Sequence, residues 1–149
     1  MKTTKEKIDS CIAILEGSSN NNFRIEQITI GLIYKFMDDM DKVSINIGEE
    51  AKHFSGTYEK YSWANLLDAK WTALERQKLY TEAIEKMAKN SEILMLYREL
   101  FKAADLSYQD TETLILILKT IDEFDFVHGD VLQDAFKYLD LKGDISSIL

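Results

Sequence analysis

The chain has 149 residues, a formal net charge of −8 and no proline. At 46% apolar residues it has enough to bury a core, which excludes disorder, and its acidic balance excludes a surface that as a whole grips DNA by neutralising phosphates. A single cysteine, Cys11, excludes an internal disulfide, no apolar run reaches the ~18 residues of a membrane span, and no apolar signal segment follows the lysines of MKTTKEKIDS, so a soluble cytoplasmic protein is expected.

Six glycines are few helix breakers. The sequence therefore predicts an all-α fold, an irregular multi-helix bundle of about six to eight helices. Lys5–Leu15 reads as the first helix, with Ile8, Ile12 and Leu15 on one face. Gly17 ends it, and Asn21 or Asn22 supplies the N-cap of the next. That next helix, Phe23–Met40, is the longest apolar stretch. Ile25, Ile28, Leu32 and Phe36 recur at helical spacing, with Ile33, Met37 and Met40 beside them. A strand over Phe23–Ile30 is the competing reading; it fails because alternation breaks at Gln27–Ile28 and the pattern outlasts a typical strand. The helix is a rod of about 27 Å. Gly31 inside it, about 1 kcal/mol worse than alanine, signals a close neighbour. Asp38, Asp39 and Asp41 crowd its far end, where carboxylates oppose the macrodipole. A frayed, solvated end or one facing a basic partner is expected.

Lys42–Tyr61 lacks periodicity and reads as a loop with room for one helical turn. Ser62–Leu67 is a short helix with Trp63 and Leu67 on one face, and Thr72–Lys89 is amphipathic through Leu74, Tyr80, Ile84 and Met87. Ser91 is the expected cap of Glu92–Ala103, which carries Ile93, Leu94, Tyr97, Leu100 and Phe101. Ser107 and Asp110 compete to cap Thr111–Phe124, whose unbroken apolar run Leu114–Leu118 predicts burial on most sides. After the turn His128-Gly129-Asp130, Asp130–Leu141 closes the bundle with Val131, Leu132, Ala135, Phe136 and Leu139. The expected core includes Ile28, Leu32, Phe36, Leu94, Tyr97, Leu114, Ile117, Ile121 and Phe136.

Self-contained chemistry is hard to find along this chain. One cysteine and two histidines do not make a zinc cluster. An EF-hand loop counted from Asp39 places Asp41 and Glu50 correctly but puts Val43 and Ser44 where an oxygen ligand and the glycine belong. The glycines form no phosphate-cradling loop. Cys11 with His53 or His128 is a formal nucleophile pair, but its place beside an apolar helix face suits a buried structural thiol better. Asp122-Glu123-Asp125, like the acidic run before it, reads as a solvated helix end. Trp63, Trp71, Tyr80, Tyr97 and Tyr108 raise base stacking, though most lie on apolar stripes that suit core packing. The basic groups Lys2-Lys5-Lys7 and Lys70-Arg76-Lys78 are not interleaved with aromatics in a way that demands nucleic acid.

Four ordered stretches carry a family likeness: Ala13–Asp41 (AILEGSSNNNFRIEQITIGLIYKFMDDMD), Tyr61–Asp68 (YSWANLLD), Leu106–Phe126 (LSYQDTETLILILKTIDEFDF) and Gly129–Leu139 (GDVLQDAFKYL). Together they resemble the N-terminal helical domain of the modification (M) subunit of type I restriction–modification systems, the N6-adenine DNA methyltransferases. The resemblance implies a helical N-terminal domain over residues 1–141 and a tail, 142–149, leading to a catalytic domain outside this sequence. That domain would hold S-adenosylmethionine in a glycine-bearing loop and a flipped adenine in an Asn-Pro-Pro-Tyr/Phe motif. Without proline the second motif is impossible here, so no catalytic, cofactor-binding or metal-binding residue is assigned. What the resemblance implies is an accessory role in DNA methylation: packing on the methyltransferase catalytic domain and closing the complex around DNA, beside a specificity subunit that reads the sequence and a restriction subunit. The parent protein is then a site-specific DNA (adenine-N6) methyltransferase, and this stretch alone is not an enzyme. Asp38, Asp39 and Asp41 are the candidate partner-facing residues. The alternatives are a stand-alone helical protein-interaction module and a small hydrolase or metal enzyme built on His53, His128 and the acidic groups, which neither ligand spacing nor a nucleophile supports.

Overall fold

The structure is a computed structural model that describes residues 2–17, 20–106 and 110–143. Among the described residues it is all-helical: α1 Thr4–Ile14, α2 Asn21–Asn46, a 3-10 turn Gly56–Tyr61, α3 Trp63–Leu66, α4 Ala73–Met87, α5 Met95–Lys102, α6 Thr111–Asp122 and α7 Val131–Lys142. The bundle is built round α2, which touches α1, α3, α5, α6 and α7. No helix among the described residues is long and apolar enough to cross a membrane.

Local chemistry sets most of the helix starts. Thr3 with Glu6 and Thr72 with Glu75 close capping boxes on α1 and α4. Ser62 caps α3 and Asp110 caps α6. The cap of α2 is Asn20, one residue before the expected pair; its Oδ1 accepts the Phe23 N–H at 2.6 Å. Beside this cap Asn21 Nδ2 donates to the last-turn carbonyl of Lys142 at 3.0 Å, tying the start of α2 to the end of α7. Gly31 answers to its neighbour: a Cβ there would run into Ile121 Cδ1, so the Ile121 side chain of α6 packs directly onto the α2 backbone.

The core is α2 with the inner faces of the others. Ile28, Leu32, Leu114, Ile117 and Ile121 are buried as expected. Leu118 is buried too, so an aspartate at that position would place an unpaired charge in the interior. Four expectations are corrected. Leu94 is 63% exposed, and Phe36, Tyr97 and Phe136 are only partly buried. Leu74 and, within the apolar run of α6, Leu116 face outward. α5 starts at Met95 rather than Glu92, because Asn90, not Ser91, organises the turn: its Nδ2 donates to His53 O and its Oδ1 accepts the Glu92 N–H, both at 3.0 Å. Above all, α2 does not stop at Met40 but runs a further turn and a half to Asn46. The competing cap at Ser107, and Tyr108, lie outside the described residues.

The buried acidic turn as candidate functional site

The last turns of α2 carry charge inside the protein. Lys35, Asp38, Asp39 and Asp41 are 6%, 5%, 3% and 3% exposed. The solvated acidic end is therefore corrected: all three carboxylates lie within the fold, and what this turn shows outside is Lys42 and Ile45. The continuation of α2 explains it. Positions 34, 37, 38 and 41 share the inward face, and 35 and 39 flank it one turn apart.

Each carboxylate has its own task. Asp39 takes the Lys35 ammonium on both oxygens at 2.8 Å, and its Oδ2 also accepts the Phe126 N–H at 3.0 Å. Lys35 donates in turn to Phe124 O at 2.9 Å. This pair thus pins the segment following α6, and Lys7 of α1 adds a bond to Glu123 O at 2.8 Å. Phe124 and Phe126 stack at 5.6 Å over the same place, with Phe36 edge-on to Phe126.

Asp41 instead holds the chain that returns from α2. Its carboxylate accepts the N–H groups of Lys52, His53 and Phe54 at 2.9, 3.0 and 2.8 Å, and lies 2.8 Å from His53 Nδ1. Burial pushes its carboxyl upward, but the His53 imidazole and these N–H groups outweigh burial and hold it below the ordinary 3.8. The strap so fixed delivers Phe54 against Tyr34, which also packs on Trp63 and Tyr80 and donates its hydroxyl proton to Tyr61 O. Trp63 Nε1 donates to Asp122 Oδ1 at 2.9 Å.

Asp38 is the least satisfied of the three. Its Oδ2 is buried without a hydrogen bond, with the Lys42 ammonium 3.5 Å away. Burial raises this carboxyl above 3.8; Lys42 opposes the rise, and Asp39 and Asp41 add to it.

The three carboxylates diverge, toward Lys42, toward Phe126 and toward the strap. Among the described residues no three His, Cys, Asp or Glu side chains converge as metal ligands. Cys11 is buried, and burial, with Glu123 adding, pushes its thiol up to about 12, which leaves it unreactive. His128 pairs with Asp125 at 3.0 Å in the open. Trp63 and Tyr80 are core residues, and Trp71 donates to Asn65 O. Arg76 is spent on the carbonyls of Leu66 and Asp68. An open cleft of about 600 Å³ lies between the start of α1 and α7, lined by Thr3, Lys5, Asp134, Lys137, Tyr138 and Leu141. Tyr138 donates there to Asp9 at 2.7 Å, and the ammoniums of Lys5 and Lys142 each lie over its ring.

Reading the sequence as a solvated end missed the pairings Lys35–Asp39 and Asp38–Lys42, although both sit at i,i+4 spacing in KFMDDMDK, where such pairs form. No local signal marks the backbone donors of Phe126 and of Lys52–Phe54. No protein-family model, curated protein or solved structure matches the chain.

Proposed function

We propose that the chain is the accessory helical domain of a type I restriction–modification DNA adenine-N6 methyltransferase subunit, packing on the catalytic domain and helping to close the complex around DNA without catalysing anything itself. The supporting observation is where the four family-like stretches fall. They contribute α2, α3, α6 and α7, and α2 packs against each of the other three. The likeness thus covers the elements that define one packed unit. The net charge of −8 suits a domain that meets protein more than phosphate. The buried acidic turn has a place in this reading: it stiffens the unit by tying α2 to segments far along the chain, so that a docked partner meets a fixed shape. S-adenosylmethionine belongs to the catalytic domain, and no residue here is assigned to it.

Two measurements test the reading. Titration calorimetry of this chain with S-adenosylmethionine should show no heat of binding; micromolar binding overturns the accessory role. Co-expression with the product of an adjoining reading frame that carries Asn-Pro-Pro-Tyr or Asn-Pro-Pro-Phe, and with a neighbouring specificity gene, should yield one co-purifying assembly. A stand-alone interaction module is the second reading, favoured by the exposed Leu94, Met95 and Leu96. It predicts an assembly that contains no methyltransferase.

A further inference from the structure

The cleft between α1 and α7 has no part in the packing described above. One wall is a face of α7, on which Asp134, Lys137, Tyr138 and Leu141 recur at steps of three and four. The start of α1, from Thr3 to Lys5, is the other. The volume of about 600 Å³ is that of a small-molecule site. Tyr138 is fixed in it: its hydroxyl donates to Asp9, and the ammoniums of Lys5 and Lys142 lie 5.8 and 5.0 Å from the centre of its ring. Leu141, 80% exposed, is the most exposed large apolar side chain among the described residues. The charge here runs against the balance of −8 over the whole chain. Asp9 is spent on Tyr138 and on Lys142, 3.9 Å away. Asp134 lies in the first turn of α7, where the positive end of its own helix offsets it. Among the described residues neither Lys5 nor Lys137 has a carboxylate within ion-pair distance.

We propose that this cleft binds a small amphipathic anion, a phosphate or carboxylate head on an aliphatic tail. Charge complementarity selects the head. Lys5 on one wall and Lys137 on the other are cations without a counter-ion, and a single anionic head between the helices supplies one to both. Apolar surface selects the tail. Leu141 follows Lys137 by one helical turn, about 6 Å along α7, so a head held at Lys137 can lay a short chain over Leu141 and take its side chain out of water. The Tyr138 ring already carries two ammoniums, which makes it a wall rather than an open platform for stacking a base. An alkyl anion therefore fits better than a nucleotide. The same head-group chemistry occurs in membrane lipids, but a body of net charge −8 is repelled by an anionic bilayer. The ligand is a free amphiphile. This inference is independent of the methyltransferase reading.

Titration of the isotope-labelled full chain with sub-micellar decyl phosphate, followed by NMR, should show saturable binding with a Kd of about 10–100 µM. The amide shifts should gather at Thr3–Lys5 and Lys137–Leu141. Decanol, which lacks the charge, should bind at least tenfold more weakly. Lys5→Gln combined with Lys137→Gln should weaken decyl phosphate at least tenfold with an unchanged melting midpoint, and Leu141→Ser should weaken it severalfold. Lys78→Gln, on α4, should leave it within about twofold. Vesicles of phosphatidylcholine with anionic phosphatidylglycerol should not carry the protein down on sedimentation. Absence of saturable binding overturns the proposal, as does decanol binding as tightly as the phosphate, or binding that the double lysine variant leaves intact. Capture by the anionic vesicles without binding of free decyl phosphate overturns it in favour of a membrane surface.

Discussion

Two acidic runs of nearly the same composition meet opposite fates. Asp38-Asp39-Asp41 is inside the protein, and Asp122-Glu123-Asp125 stands in solvent at the end of α6. Each even owns an Asp–His pair of similar length: Asp41–His53 at 2.8 Å, with side chains 5% and 17% exposed, and Asp125–His128 at 3.0 Å, with side chains 61% and 83% exposed. Only the first is built into the fold. Its carboxylate also collects three backbone N–H groups, whereas among the described residues Asp125 collects that of Val127. Composition and pairing distance say little about what an ion pair contributes; desolvation and the number of donors decide it.

The sharpest way to break this contrast is at Asp39. Asp39→Ala leaves Lys35 buried without its counter-ion and should cost about 3–5 kcal/mol in urea denaturation. Glu123→Ala, in the solvated run, should shift stability by no more than about 0.5 kcal/mol. The paired histidine sites come next. Asp41→Ala strands the donors of the strap and should cost about 2–4 kcal/mol, against about 0.5 kcal/mol or less for Asp125→Ala. A loss at Asp125 equal to that at Asp41 would dissolve the distinction.

Acid titration of stability sharpens it further. Asp41 has a folded-state value below 3.8, so its contribution is fully present above 3.8 and lost as pH falls through the lower value. Asp38 has a folded-state value above 3.8, so it opposes folding at neutral pH, and that opposition fades as pH falls through the raised value toward 3.8. Asp38→Asn should therefore stabilise the protein at pH 7 and remove the gain seen on approaching pH 3.8, while the steep loss below it remains. The mildest of the changes inside the fold is expected at Gly31. Gly31→Ala gains helix propensity but meets Ile121 Cδ1, for a net cost of about 1 kcal/mol. Ile121→Val, which removes that methyl, should reduce the penalty in the double variant, as a thermal melt would show.

Much of the fold was legible along the chain. α1, α4, α6 and α7 fall within a residue or two of their expected limits, because capping residues and apolar periodicity act over one or two turns. Gly31 was legible as a close approach, though not which helix approached. Leu94 and Met95 were not legible as surface: an apolar pattern tells which residues prefer burial and is silent on whether the domain has room for them all. The acidic turn was read least well, since a run of aspartates near a presumed helix end looks solvated by every local rule.

The sequence by itself determined that this protein is helical, where most helices begin, and that the stretch from Phe23 onward is their centre. Those properties rest on contacts within a few residues. Only the tertiary structure decided that α2 continues to Asn46 and takes its carboxylates inside, because the groups that make this tolerable arrive from elsewhere. The Phe126 N–H that bonds Asp39 is 87 residues away, and the strap that satisfies Asp41 returns 11 to 13 residues later. A buried charge is stabilised by whichever donors surround it in space, and spacing along the chain carries no record of them.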